Sequence, residues 1–176
     1  VNPDDAATAA LEQFDTNGDA ALAQDEWNKS PVLASVAEQY DTSGDRTLSA
    51  EEIAEGIRGW QQGPVGVRVV PFKISYNGRP LSGAKVSLLP AEFLGGAVKP
   101  ASGESGQLGT GKLRLAPEDL PKNAPKMPLM QPGLYRVEIT HPSVKIPAKY
   151  NTQTTLGIEI SGGNPGPQGI VWDLAG

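Results

Sequence analysis

The chain has 176 residues with 15 bases, 20 acids and no cysteine, for a formal net charge of −5. The lack of cysteine excludes a disulfide framework and a thiolate metal site, and no stretch approaches the roughly 18 apolar residues of a membrane span. Residues 1–62 carry 13 acids and three bases, whereas residues 63–176 carry seven acids and 12 bases, a balance too dilute for a nucleic-acid stripe.

From the start of the chain, Pro3, Asp4 and Asp5 suit a helix N-terminus, and Ala6, Ala9, Ala10, Leu11 and Phe14 give an apolar face at helical spacing. A twelve-residue stretch, Asp15 to Glu26, then places Asp15 first, Asn17 third, Asp19 fifth, Leu22 eighth and Glu26 twelfth. Ser30-Pro31 follows as an N-cap and first-turn proline for a helix carrying Val32, Leu33, Val36 and Tyr40. The oxygen pattern recurs from Asp41 to Glu52 as Asp41, Ser43, Asp45, Leu48 and Glu52. Ser49-Ala50-Glu51-Glu52 reads as a capping box opening a helix through Ile53, Ile57 and Trp60. On a tightly curled loop such alternate oxygens converge, and the last glutamate reaches back with both of its own, as a hard cation of six to eight ligands requires.

The doubled stretch resembles an EF-hand pair, which implies two calcium ions. By that resemblance Ala21 and Thr47, at the seventh positions, donate backbone carbonyls. Ala23 and Ser49, at the ninth, lie beside a water ligand, and Leu22 and Leu48 face each other in a short two-stranded link. The sixth position, usually glycine in the family, is Ala20 in one loop and Arg46 in the other, which predicts a left-handed side-chain-bearing residue at a cost of roughly 1–2 kcal/mol. The loops begin 26 residues apart, so one segment must serve as exiting and entering helix. A structural calcium site is expected rather than a switch.

Gln61-Gln62-Gly63-Pro64 marks a boundary, dividing the chain into residues 1–62 and 63–176. Beyond it strands are expected at Val65–Tyr76, Ala84–Leu89, Gln107–Leu115, Gly133–Thr140, Thr154–Ile160 and Gly169–Leu174, with short pieces near Ala97 and Lys145. Asn77-Gly78 is a turn signal. Between residues 116 and 133, prolines at 117, 121, 125, 128 and 132 forbid helix. That segment either wraps the β region and buries Met127, Leu129 and Met130, or offers them to a partner. The fold class is therefore α+β in two parts, helical first and then an antiparallel β-sandwich of about seven strands.

Tyr76-Asn77-Gly78-Arg79-Pro80-Leu81-Ser82-Gly83-Ala84-Lys85-Val86 and Pro132-Gly133-Leu134-Tyr135-Arg136-Val137 resemble motifs of transthyretin-like and carboxypeptidase-regulatory-like domains. Ile146-Pro147-Ala148-Lys149-Tyr150-Asn151 is similar to a stretch in small secreted bacterial proteins of this type. The family's "D-x-x-G-x-F" strand is replaced by Gly106 to Leu113. The resemblance implies a sandwich used for support, adhesion or interaction and carries no catalytic residues.

His141 precedes a proline at a strand end and reads as structural, and no nucleophile elbow or phosphate loop is present. A non-catalytic protein is expected, calcium-stabilised and secreted or on a cell surface, where abundant calcium suits such loops; the start at Val1 suggests a processed product. The opposed charge of the halves suggests a homo-oligomer or filament formed head to tail. Two other functions are compatible with these residues: a module binding an extracellular glycan or peptide, and a calcium sensor with a protein target.

Overall fold

The computed structural model describes residues 1–62 and 67–176. The boundary expected at Gly63-Pro64, and Val65 as a strand start, lie outside the described residues.

Helix α1 (Pro3–Phe14) starts where Asn2 accepts the Asp4 and Asp5 amides at 3.1 and 3.5 Å, and it buries Ala6, Ala7 and Ala10. Strand β1 (Ala21–Leu22) leads into the single turn α2 (Gln24–Trp27). Helix α3 (Pro31–Tyr40) is capped by Ser30, whose hydroxyl accepts the Leu33 amide at 3.3 Å. Strand β2 (Leu48–Ser49) pairs antiparallel with β1, setting Leu22 opposite Leu48. Helix α4 (Ala50–Gln61) opens with the expected capping box between Ser49 and Glu52.

The rest is β-rich. Strands β3 (Val70–Tyr76), β4 (Arg79–Pro80), β5 (Lys85–Pro90), β6 (Ala101–Glu104), β7 (Thr110–Leu115), β8 (Gly133–Thr140), β9 (Gly157–Ile160) and β10 (Ile170–Leu174) form one curled eight-stranded sheet. Its order is β10-β3-β7-β6-β5-β8-β9, with β4 paired to β3. Apolar residues alternate to one side, among them Phe72, Ile74, Val86, Leu88, Leu113, Val137, Ile139 and Trp172. Phe72 and Trp172 meet there with ring centroids 5.9 Å apart.

Several strand expectations need correction. All neighbours are antiparallel except β10, which runs parallel to β3. β9 ends at the opposite edge of the sheet, so the chain crosses back before β10 and enters beside β3 in the same direction. Near Ala97 there is no strand but a 3₁₀ turn, Glu92–Ala97, whose end is followed by β6. Near Lys145 the chain is irregular up to the turn Ala148–Tyr150. The proline-rich segment buries Leu129 and Met130 against the β region but leaves Met127 47% exposed.

The helices sit directly on this sheet. α3 lies over β9 and β8, so close that a Cβ on Gly157 would fall 2.1 Å from the Pro31 carbonyl oxygen. The Tyr40 hydroxyl donates to the buried Glu159 carboxylate at 2.9 Å. α1 rests on the 3₁₀ turn, where the Gln13 amide reaches Glu92 at 3.4 Å. One hydrophobic core runs from Ala6 through Ile57 to Leu174.

Candidate metal centre

Each acidic loop follows a helix end, because the first residue also caps it: the Asp15 amide donates to Leu11 and the Asp41 amide to Ala37. The Asp15 carboxylate accepts the Gly18 amide at 2.7 Å and the Ala20 amide at 3.0 Å. Asp41 repeats this with Gly44 and Arg46, at 2.7 and 2.9 Å. Fixing these two amides curls the backbone and forces the sixth residue into the left-handed region. Ala20 has φ 66° and Arg46 φ 67°, the strained conformation expected where glycine is missing.

The twelfth residues close the loops from within the next helix. Glu26 accepts the Thr16 amide at 2.7 Å, the Thr16 hydroxyl at 2.9 Å and the Asn17 amide at 3.2 Å through Oε1, and the Ala23 amide at 3.0 Å through Oε2. Glu52 accepts the Ser43 amide at 3.0 Å, and the Ser49 amide and hydroxyl each at 2.9 Å. Both glutamates are buried. The Ala23 and Thr16 amides, aided by the Thr16 hydroxyl, hold the Glu26 carboxyl at about 2 against the opposing effect of burial. Burial pushes Glu52 up, but the Ser49 and Ser43 amides and hydroxyls outweigh it and bring that carboxyl to about 2 as well. Both are acceptor-only carboxylates at neutral pH.

The fifth residues finish the curl. The Asp19 carboxylate accepts the Ala21 amide at 3.0 Å, and the Asp19 backbone amide donates to Asn17 Oδ1 at 2.8 Å. Asp45 accepts the Thr47 amide at 2.8 Å and its hydroxyl at 2.7 Å. The Ser43 hydroxyl donates to Asp41 at 3.3 Å. Ala23 and Ser49, expected beside a water, here use their amides on Glu26 and Glu52.

Carboxylate oxygens of Asp15, Asp19 and Glu26 lie within 4.8 Å of one another. Among the described residues this is the acidic group drawn together so closely; Asp41, Asp45 and Glu52 share the hydrogen-bonding plan without converging to the same degree. An oxygen-only donor set of this kind suits a hard divalent cation rather than a thiophilic one.

Two features had no signature in the sequence reading. Thr16 contributes its hydroxyl to Glu26 and receives Lys29 at 3.2 Å, yet it occupies a loop position the spacing rule leaves open. Glu159 pairs with Tyr40 from 119 residues away, on a strand where alternation alone would read it as a solvated face. His141 is structural: its Nε2 reaches the Ser82 carbonyl at 2.8 Å, while Nδ1 accepts the Ser143 and Val144 amides at 3.0 and 2.9 Å. No protein-family model, curated protein or solved structure matches the chain.

Proposed function

We propose that residues 1–62 are a calcium-binding EF-hand pair joined to a transthyretin-like β-sandwich. The protein is a non-catalytic structural component working outside the cell, where calcium is abundant. The observation that carries this reading is the duplicated hydrogen-bond plan. In both loops the first carboxylate takes the amides of the fourth and sixth residues, and the twelfth takes those of the third and ninth. A random acidic turn has no reason to repeat four such bonds at the same offsets. Calcium would be held by Asp15, Asn17, Asp19, Glu26 and the Ala21 carbonyl in one loop, and by Asp41, Ser43, Asp45, Glu52 and the Thr47 carbonyl in the other. Bound there, it supplies charge compensation for carboxylates otherwise held together against their mutual repulsion.

The same helices argue for a staple over a switch. α3 is packed between α4 and the sheet, with Val32, Leu33, Val36, Ala37 and Tyr40 buried, so opening it would expose core. Calorimetric titration tests the metal reading. Wild-type protein is expected to bind two calcium ions, and Glu26→Gln with Glu52→Gln to lose that heat. An unchanged heat signature in the double variant would refute both sites.

A further inference from the structure

The strand register defines one outer sheet face that is covered on one side and open on the other. At β9 and β8 it carries Gly157, Glu159 and Leu134, on which α3 sits. Following the pairs across β5, β6, β7 and β3, the same face presents Lys85, then Glu104 and Ser102, then Arg114 and Lys112, then Lys73. These four cations are exposed, as is Lys126 on the proline-rich segment at the rim.

Two grooves join on this open part. One, of about 820 Å³, is lined by Lys85, Leu89, Arg114, Leu120, Lys126 and Met127, with no acid in its wall. The second, of about 860 Å³, meets it at Arg114 and Pro128 and is lined by Lys73, Lys112 and Val171, with Glu104 its one acid. Asp173, further along β10, is engaged by the Ser75 hydroxyl. The ion pairs among the described residues are those of Arg58 with Asp4 and Glu51 and of Arg136 with Glu138. None of the five groove cations takes part in one. Five such cations around an apolar floor form a surface complementary to carboxylates.

We infer that this face docks the acidic helical region of a second copy of the chain. The chain carries the matching surface itself: residues 1–62 hold 13 acids against three bases, with Glu12, Asp25, Glu38, Asp45, Glu51 and Glu55 exposed. Calcium in both loops would reduce that excess without reversing it. The two surfaces differ, so the contact is heterologous and each docked copy offers a fresh acidic or basic face to the next. This rests on the structural reading above and not on calcium binding.

Sedimentation velocity on the full chain tests it, in about 20 mM and about 500 mM salt, with calcium and with chelator. Wild type is expected to associate at low salt and dissociate at high salt. Lys112→Glu with Arg114→Glu should weaken association ~100-fold while leaving the melting curve unchanged. Because that variant keeps its acidic face, it should also cap wild-type assemblies and lower their mean size when mixed in. Lys73→Glu with Lys85→Glu, on different strands, should act in the same way. A wild type that stays monomeric in low salt, association indifferent to salt, or charge-reversed variants that assemble normally would each overturn the inference. Calorimetry showing no calcium binding, beside intact salt-sensitive association, would remove the calcium reading alone.

Discussion

The two left-handed residues of the acidic loops concentrate strain at single positions. Ala20 and Arg46, at φ 66° and 67°, pay for a turn that glycine makes freely, while the amide of each is tied to Asp15 or Asp41. Ala20→Gly and Arg46→Gly should therefore each stabilise the calcium-free protein. The gain is about 0.5–1 kcal/mol, the relieved strain less the extra chain entropy glycine brings to the unfolded state. Melting curves in chelator measure it, and lower melting temperatures would contradict the argument. Tyr135 makes a different residue-scale prediction. It is fully buried, its hydroxyl donates to the Gln131 carbonyl at 2.9 Å, and burial pushes its phenol above the ordinary range. The folded state thus favours the neutral form. That preference is fully present below the unfolded phenol value of about 10 and is lost as pH rises toward the folded one. Tyr135→Phe should shift the alkaline unfolding midpoint upward, as followed by circular dichroism. The missing sixth-position glycines were legible because a counted loop exposes each position. The amides of Thr16 and Ala23 that hold Glu26 were not, since every residue has an amide and none advertises its partner.

Between elements, glycine separates what pattern reading cannot. Gly56 and Gly59 stand three apart in α4 and look alike in the sequence. A Cβ on Gly56 would lie 2.3 Å from the Tyr40 ring, whereas at Gly59 nothing lies within 4 Å. Gly56 is what lets α3 and α4 approach with Tyr40 between them, anchored to Glu159 on β9. Gly56→Ala should cost about 1–3 kcal/mol through overpacking, while Gly59→Ala should add about 0.5–1 kcal/mol by restoring helix propensity. Paired denaturation curves decide it, and equal effects at the two sites would contradict the packing. The start of α3 at Ser30-Pro31 and the start of α4 at Ser49 were legible because caps are local chemistry. The parallel entry of β10 beside β3 was not, since strand direction depends on where the previous strand leaves the sheet.

At the scale of the molecule, the charge division and the core divide the chain differently. Acids gather in residues 1–62, while the buried core takes no account of that division. The buried residues form one cluster that joins α1, α3 and α4 to the sheet, because Gly157 admits the α3 backbone and Leu134 is buried on that side. A helical unit of some 60 residues is marginal alone and gains stability by lending its apolar face to a neighbour. Heat should therefore unfold the chain in one cooperative transition, with equal van't Hoff and calorimetric enthalpies. Calcium in excess should raise that whole transition and not an early part of it, by about 2.7 kcal/mol per site at a hundredfold excess over the dissociation constant. Scanning calorimetry with calcium and with chelator distinguishes the cases. Two separated peaks, only the first moving with calcium, would mean that the loops staple the helices alone and that the shared core does not couple them to the sheet.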